Sequence, residues 1–546
     1  MDYHESLANQ QQAYRETAGF YGWVRDHRQV CLWVTFILAA LAIELPFLLN
    51  NHLFGGWDQQ FHVNRIEELY LSAKHGVWHN AISTYTFKGS GLGIQIFYPY
   101  VFLYPYALLR LIGIPGITAL YLGNVFYIVL SAWVCYWCMR TFLRLRGAQR
   151  PELGAWFFSM LYNVAGYMVF NDTVRFDLPE SQSMTWYVIL FLGLYMTLTK
   201  QRRGWLLTTL GAVLLVYTHV LSALLAAGIV VLVLIIAWRQ LDDLRTWRDL
   251  ILTGLVTAVI AAPELVVMLK TTHQVVIESP RIGSLYTQTI TPFVAVFYGL
   301  ANVTKTGLLT HGVTLGTVVL VGMIATWFGF RHLDHLGKTL LILSTVLFWA
   351  TTRLFPWQLF EKTPIRLIQH PWRLYTFISL FALVALTLLV DRIDLTFRWR
   401  NWAVGLSLLL TLGTGFTYTA LAKPRVTPAS YQTFATKAEY FDYAPQSSLK
   451  HLKSIYHHDA LIRAHGHVVK TIHVHMAAQP NGMTVTVPTS ARGQVVDLPI
   501  FNYGGGYAVT TNHGKTLTAH VSKRGTVQVN VPRGTTTLRV QYRSGL

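Results

Sequence analysis

The pattern of apolar residues along the chain predicts a protein built mainly from membrane-spanning helices. Four stretches contain no Asp, Glu, Lys or Arg, and crossing a bilayer takes about 20 apolar residues. These stretches are 117–139, 181–199, 204–238 and 401–422. Shorter or interrupted apolar stretches lie at 31–50, 154–171, 250–269, 312–330, 339–352 and 374–390. The run 204–238 is too long for one ordinary span at about 1.5 Å per residue, so we expect it to divide near His219, which gives about eleven spans.

The basic residues between these stretches predict how the chain is oriented. If the N-terminal segment 1–30 is cytoplasmic, each predicted inner loop carries two to four Lys or Arg, as the positive-inside rule requires. The transmembrane part then covers 31–422, with residues 51–115 forming an outer loop. Two uncharged segments leave the count open. We interpret 94–109, which contains two prolines, as interfacial or re-entrant, and the Thr-rich segment 282–304 as an outer segment that does not span.

Beyond residue 422 the pattern changes to short alternating runs rich in Val and Thr, separated by Gly and Pro. This pattern is typical of a small β-sandwich or β-barrel. The expected fold is therefore an all-α polytopic membrane bundle followed by a C-terminal all-β domain over 423–546, which the span count places outside the cell. Residues 423–546 hold fourteen Lys and Arg against four Asp and Glu, a balance that suits an envelope rich in anionic polymer.

Composition supports the membrane assignment and argues against a nucleic-acid partner. The 546 residues are 53% hydrophobic and 13% charged, whereas soluble proteins have about 25% charged residues. The net charge of +19 comes largely from Arg and Lys at the ends of apolar stretches, which we interpret as a sign of topology and of contact with anionic headgroups. Cys31, Cys135 and Cys138 all lie in apolar stretches, so the sequence predicts neither disulfides nor a cysteine zinc site.

The outer loop after the first span contains the main candidate for chemistry. Positions 59–75 predict an amphipathic helix lying on the membrane, and Asp58 directly precedes it. His62 and Arg65 follow about one and two turns later. Three interpretations of Asp58 stay open: a catalytic carboxylate at the lipid–water boundary, a helix N-cap, or a metal ligand.

Short motifs along nearly the whole chain carry a resemblance to a known family. They are Trp57-Asp58-x-x-Phe61-His62-x-x-Arg65-Ile66, Gly89-x-Gly91-x-Gly93, Asn171-x-x-x-Arg175-x-x-x-x-Glu180, Thr218-His219-x-x-Ser222, His370-Pro371-Trp372-Arg373 and Leu498-Pro499. In these motifs the chain resembles a bacterial polytopic membrane family catalogued as 6-pyruvoyl-tetrahydropterin-synthase-related. No pterin chemistry is implied, because the sequence offers neither a soluble pterin pocket nor a zinc triad.

That family in turn resembles the C-type glycosyltransferases, which are polytopic enzymes with a catalytic acid in the first outer loop and sugar donors on a polyprenyl phosphate. The resemblance implies that Asp58 takes the proton of an acceptor hydroxyl, and that Arg175 and Arg373 bind the lipid phosphate. The further substrate-binding candidates are His62, Arg65, Glu180 and His219. The first loop lacks the paired acids of the simplest C-type pattern, so we expect no metal and no cofactor.

Two other groups of residues allow more than one interpretation. Asp172, Asp177 and Glu180 either supply a second acid or are solvated loop charges with Arg175 as their partner. The pairs His465-x-His467 and His473-x-His475 have a strand spacing that can bind zinc. Because the sequence gives no third ligand at a diagnostic spacing, we interpret them as a polar strand face.

The leading hypothesis is a multi-pass membrane glycosyltransferase of the cell membrane. It would transfer a sugar from a polyprenyl-phosphate donor to a cell-wall or envelope glycopolymer on the outer face, with membrane lipid around it. A flippase or transporter of lipid-linked sugars is one rival, and it would need no catalytic base. A non-catalytic scaffold for envelope assembly is the other.

Overall fold

Most of the chain forms helices in this computed structural model, which describes residues 22–24, 26–280, 282–300 and 313–543. The N-terminal segment up to residue 21 and residues 301–312, where part of the segment 282–304 falls, lie outside the described residues. The helices are α1 (Arg28–Asn50), α2 (Gln59–Lys74), α3 (Ile94–Phe97), α4 (Tyr104–Leu111), α5 (Gly116–Leu145), α6 (Pro151–Asn163), α7 (Gly166–Phe170), α8 (Leu178–Leu198), α9 (Gly204–Val216), α10 (Val220–Ile236), α11 (Leu244–Gln274), α12 (Pro292–Leu300), α13 (Thr317–Phe328), α14 (His335–Ala350), α15 (Tyr375–Arg392), α16 (Phe397–Leu421), α17 (Tyr431–Thr436) and α18 (Leu452–Tyr456).

Several of these helices fit a bilayer, and the chain is a multi-pass membrane protein. Among the described residues, five helices are long and apolar enough to cross a membrane: α1, α5, α11, α15 with the turn before it, and α16. Shorter apolar helices include α9, α10, α13 and α14. The predicted division of 204–238 is confirmed, because α9 ends at Val216 and α10 begins at Val220. The total of about eleven spans stays a prediction.

The predicted span 154–171 is not one continuous helix. The chain forms α6 up to Asn163 and restarts as α7 at Gly166, and the two helices are bent by 41° across the break. Gly166 allows this geometry, because a Cβ added to it would lie 2.5 Å from the Cα of Gly316. The backbone before α13 therefore packs directly on the bend.

Helices α8 and α9 pack closely through glycines. A Cβ added to Gly193 on α8 would lie 2.3 Å from the backbone nitrogen of Thr208 on α9, and one added to Gly211 would lie 2.7 Å from the backbone nitrogen of Leu190. Small residues allow such backbone contact between membrane helices, where dispersion rather than water exclusion drives association. The contact fixes the position of α8, whose N-terminal end carries several of the candidate site residues.

The C-terminal region is a β-sandwich, as the alternating pattern predicts. Its strands are β3 (Asp459–Ala464), β4 (His467–His473), β5 (Met476–Gln479), β6 (Gly482–Thr486), β7 (Val495–Phe501), β8 (Tyr507–Thr511), β9 (Thr516–Leu517), β10 (His520–Val521), β11 (Thr526–Asn530) and β12 (Thr537–Tyr542). They form two antiparallel sheets, in the orders β10-β11-β7-β3-β4 and β5-β6-β12-β8-β9. One buried apolar cluster joins the sheets, with Val496 and Val529 from the first and Val485 and Leu538 from the second.

The sandwich packs on the loop that follows α1. The backbone N–H of Gly93 donates to the hydroxyl of Tyr503 at 2.8 Å, and that of Phe501 donates to the carbonyl of Ser90 at 2.9 Å. The short strands β1 (Leu53–Phe54) and β2 (Pro424–Val426) also pair, which joins the exits of α1 and α16. The loop 51–115 and the sandwich therefore lie on the same side of the helices.

Helix α2 is buried in the protein on its polar as well as its apolar side, so the prediction of an amphipathic surface helix is wrong. Its polar residues Asn64, Arg65, Glu67 and Glu68 are at most 1% exposed. Glu68 accepts hydrogen bonds from the backbone N–H groups of residues 84–86 at 2.9–3.0 Å. Polar residues on α2 bind neighbouring loops, a use that helical periodicity does not reveal.

The close contact between α8 and α9 predicts that alanine lowers the stability at one glycine but not at another. We expect Gly193→Ala to lower the thermal stability of the purified protein in detergent, because overpacking of this kind costs about 1–3 kcal/mol. Gly228→Ala, inside α10, should be neutral or stabilising, because its Cβ meets nothing within 4 Å and Ala has the higher helix propensity by about 1 kcal/mol. Equal shifts in Tm for the two variants would contradict the tight packing.

Candidate active site

A buried guanidinium forms the centre of the candidate site. The Nε atom of Arg175 lies 3.2 Å from Oδ2 of Asp58, Nη2 lies 2.6 Å from Oδ2 of Asp177, and Nη1 lies 2.8 Å from Oε2 of Glu180. Nη1 also donates to the side-chain oxygen of Asn171 at 3.0 Å. One arginine, which is 5% exposed, thus joins three carboxylates that come from two separate segments of the chain.

The backbone before α8 explains how Arg175 reaches this position. Helix α7 continues into a π-helical turn over Asn171–Arg175, a form common at functional sites. Phe176 then takes the left-handed conformation with φ of 61°, which ends the turn. Asp177 caps α8 by accepting from the backbone N–H of Glu180 at 3.4 Å. The sharp reversal at Phe176 brings both acids to the same side as the Arg175 side chain.

Asp58 is the acid of this cluster that meets solvent, with 32% of its side chain exposed, against 5% for Asp177 and 3% for Glu180. It holds the N-cap position of α2, but its side chain makes no capping hydrogen bond. Its backbone N–H donates to the carbonyl of Arg175 at 3.1 Å, which fixes it beside the guanidinium. Desolvation, with repulsion from Asp177, raises the pKa of Asp58 to about 6, although Arg175 and Arg373 oppose the rise.

Arg373 completes the cluster from a distant part of the chain. Its Nε donates to Oε2 of Glu180 at 3.0 Å, and its Nη1 donates to the side-chain oxygen of Gln369 at 2.6 Å. The hydroxyl of Tyr167 donates to the other oxygen of Glu180. Glu180 therefore lies between two guanidiniums and a phenol, which identifies it as the residue that connects Arg373 to Arg175.

The three other predicted substrate-binding residues surround this cluster but lie deeper. Burial lowers the pKa of His62 to about 4, so the imidazole that faces Asp177 across 3.7 Å is neutral. Arg65 is fully buried and donates to the carbonyls of Tyr98 and Pro99 at 2.9 and 2.6 Å. His219 stacks on Tyr98, with 5.5 Å between ring centroids. Arg65 and His219 thus hold the loop 94–109 in place, which indicates positioning roles.

Two tryptophans form the aromatic wall of the site, and sequence reasoning gave neither a role. Trp57, next to Asp58, is 62% exposed and meets Trp372 edge to face at 6.4 Å between ring centroids. Trp372 lies 4.9 Å from the guanidinium carbon of Arg175 and stacks on His370 at 4.5 Å. Their position inside two of the quoted motifs was the available signal.

The interpretation of Asp172, Asp177 and Glu180 as solvated loop charges is wrong. Each of them is at most 5% exposed. Asp177 and Glu180 do have Arg175 as a partner, as that interpretation proposed, whereas Asp172 accepts from the hydroxyl of Ser181. The sequence alone does not reveal that the sandwich and the loop 51–115 cover this end of the helices.

An apolar cavity of about 390 Å³ lies between α8, α10, α14 and α15, and none of the residues of the ion-pair cluster lines it. Its lining includes Tyr187, seven residues after Glu180 on α8, and Phe377, four residues after Arg373 on α15. The lining then continues along α8 to Leu198 and Thr199. The cavity therefore extends along the helices, away from the ion-pair cluster.

Comparison with known proteins gives similarity to solved structures only, because no protein family model and no curated protein matches the chain. The chain resembles the arabinofuranosyltransferase AftD from mycobacteria at 16% identity and a TM-score of 0.44, covering 71% of this chain and 27% of that one. It also resembles ArnT from Cupriavidus metallidurans bound to undecaprenyl phosphate, at 13% identity and a TM-score of 0.43, covering 76% of this chain and 78% of that one. Neither likeness identifies a function for this chain.

The double pairing of Glu180 gives a stability prediction. We expect Glu180→Gln to destabilise the purified protein by about 3–5 kcal/mol, because it leaves two buried guanidiniums without their shared carboxylate. The matched control is Glu439→Gln in the pair with Lys88, where the Glu439 side chain is 56% exposed and the expected cost is at most about 1 kcal/mol. Thermal unfolding in detergent compares the two variants, and similar shifts would contradict the role of Glu180.

Proposed function

We propose that the chain transfers a sugar from a polyprenyl-phosphate donor to a hydroxyl of a cell-envelope acceptor, on the outer face of the membrane, with Asp58 as the base. The observation that carries the proposal is the position of Asp58. It is a partly exposed carboxylate, held by Arg175 at the edge of a cluster whose other acids are buried. The acceptor oxygen attacks the anomeric carbon, the bond to the phosphate breaks, and the hydroxyl proton passes to Asp58.

The electrostatics of the cluster suit Asp58 to this step. A general base works best when its pKa lies near the working pH while its deprotonated form still predominates, and the pKa of about 6 meets both conditions. Nearby His62 is a poorer candidate, because it is 1% exposed. The greater exposure of its side chain thus favours Asp58 over His62 as the proton acceptor.

The leaving phosphate needs positive charge, and Arg373 supplies it beside Glu180. Three helices begin at this end of the bundle, α8 after Asp177, α10 after His219 and α15 after Arg373. Helix N-termini carry partial positive charge and favour anions. In this proposal Arg373 and these N-termini bind the phosphate of the lipid donor, while Arg175 stays paired with the carboxylates of the cluster.

The apolar cavity and the exposed tryptophan supply the remaining contacts in this proposal. The cavity between α8, α10, α14 and α15 would provide an apolar surface for an isoprenoid chain, since its lining begins at Phe377, four residues after Arg373, and continues along the helices to Arg146. Trp57 offers an open aromatic face beside Asp58, and aromatic faces are common in ligand sites. The sandwich, with its basic composition, would bind the acceptor polymer.

The same geometry supports transfer without a metal ion. Arg175 lies between Asp58, Asp177 and Glu180, where a cation would otherwise balance the three carboxylates. We therefore propose that the guanidinium provides the charge compensation in this cluster. The topology in which the N-terminus is cytoplasmic and the sandwich extracellular, with about eleven spans, belongs to the same proposal.

Removing the charge of Asp58 is the direct test. In cells that lack the native gene, Asp58→Asn should lower transfer to the envelope acceptor by about 10²–10⁴-fold, the usual contribution of a general base. The measurement is the sugar composition of the envelope at equal protein level. Glu439→Gln, which removes an exposed acid that pairs with Lys88 of the loop 51–115, is the control and should behave as wild type.

Turnover of a polyprenyl-phosphate sugar donor by the purified protein separates the proposal from its rivals, and undecaprenyl phosphate is the probe for binding. Purified Asp58→Asn protein should bind this probe as wild type does, because the phosphate contacts are left intact. Loss of transfer with retained binding supports a transferase. An unchanged envelope composition in the Asp58→Asn strain would overturn the role of Asp58 and leave the flippase and scaffold hypotheses.

The raised pKa of Asp58 gives a pH prediction. Because the base must be deprotonated, transfer should increase with pH through about 6, about two units above the ordinary Asp range. Isolated membranes that contain the natural donor and acceptor allow kcat/KM to be followed from pH 4.5 to 8. The residual activity of Asp58→Asn should lack this dependence, and a wild-type profile that is flat down to about pH 4.5 would contradict the assignment.

A further inference from the structure

A second group of chemically active side chains lies in the β-sandwich, away from the residues to which the proposed transfer step assigns a role. His457, Asp459 and His473 each offer one ligand atom, and these atoms all lie within 4.8 Å of one another. The Nδ1 atom of His457 lies 2.8 Å from Oδ1 of Asp459, and the Nδ1 atom of His473 lies 3.7 Å from the same oxygen. Two imidazoles thus converge on one carboxylate oxygen.

The strand register explains why these residues meet. Asp459 begins β3 and pairs with His473 at the end of β4. Directly opposed residues of an antiparallel pair have their side chains on the same face, with Cβ atoms about 4.5–5.5 Å apart. His457 precedes Asp459 by two residues and reaches the same carboxylate. This arrangement follows from antiparallel pairing and is not visible in the sequence spacing.

The backbone around the group is held by its neighbours. His458 lies against His473, with 6.3 Å between ring centroids and 13° between the planes, and its Nε2 contacts the carbonyl of Lys88 at 2.6 Å. The carbonyl of Asp459 accepts from Nη1 of the buried Arg524 at 2.9 Å. The backbone that carries the site is therefore held in place, while the imidazoles of His457 and His473 stay exposed at 70% and 62%.

We propose that His457, Asp459 and His473 bind a divalent transition metal of the zinc type. Imidazole and carboxylate are normal zinc ligands, and three protein ligands leave a fourth position for water. A tetrahedral ion with bonds of about 2.0–2.1 Å brings its ligand atoms to roughly 3.3 Å from one another. The two exposed imidazoles can make this small adjustment by rotating, and the carboxylate of Asp459 supplies a negative ligand for the cation.

This site differs from the zinc pairs considered in the sequence. His467 begins β4 and His465 lies in the turn before it, whereas His473 ends the strand, about 20 Å from His467 for a strand of this length. The two pairs therefore do not form one site. His473 instead joins residues from the beginning of β3, and the inference departs from the expectation that the chain binds no metal.

The test uses the full-length protein in detergent, purified with a tag that contains no histidine and stripped of metal. Co²⁺ is the probe, because its visible absorption reports tetrahedral coordination, and Zn²⁺ is then added as competitor. We expect one equivalent of Co²⁺ that Zn²⁺ displaces. The double variant His457→Ala/His473→Ala should lower the affinity for Co²⁺ by tenfold or more.

The matched control is His465→Ala/His467→Ala, which removes two histidines from the other end of β4 and should bind Co²⁺ as wild type does. Both double variants change exposed side chains, and a thermal unfolding curve verifies that each is folded. Equal Co²⁺ affinity in the two double variants, or wild-type binding without the tetrahedral spectrum, would overturn the site. Because Asp58→Asn leaves this group untouched, it should bind Co²⁺ normally whatever its transfer activity.

Discussion

The structure of the candidate site depends on the need to neutralise one buried guanidinium. Arg175 is 5% exposed, and a charge in such a position is costly unless it is paired and hydrogen-bonded. Its partners come from the loop after α1, from the start of α8 and, through Glu180, from the start of α15. The electrostatic requirement of one side chain thus determines how three separate parts of the chain meet at one end of the bundle.

The excess of carboxylates in this cluster is better explained by a role in binding or catalysis than by a contribution to the stability of the fold. Buried ion pairs are often no more stabilising than apolar residues of the same size, and here three carboxylates face two guanidiniums. The excess acid is unfavourable for folding, because like charges in a buried site raise the pKa of one member. Desolvation, together with repulsion from Asp177, places that cost on Asp58, which is the member that meets solvent. An arrangement that places the perturbed carboxylate at the accessible edge is typical of a functional site.

The sequence predicted the apolar helices, the break near His219, the β-region and the grouping of Asp58 with Arg175 and Arg373. The helices and strands were predictable because the length and alternation of apolar stretches are local properties of the sequence. The grouping of Asp58 with the two arginines came from the family resemblance, which extends over whole motifs. Prediction from the sequence failed where distant contacts decide the outcome. Helix α2 is buried because Glu68 binds residues 84–86, and the metal-ligand group depends on the register between Asp459 and His473. Neither contact leaves a periodic pattern.

The loop 51–115 and the sandwich explain why a partly buried site can exist at the end of a helix bundle. Helix ends normally meet water, which would screen the ion pairs and lower the pKa of Asp58 toward its usual value. Here Arg65 binds the carbonyls of Tyr98 and Pro99, and Tyr98 stacks on His219. Tyr503 of the sandwich accepts from Gly93 and so covers the same loop. The layer over the helices leaves Trp57 and Asp58 exposed, so in the proposed reaction the fold limits where an acceptor can approach Asp58.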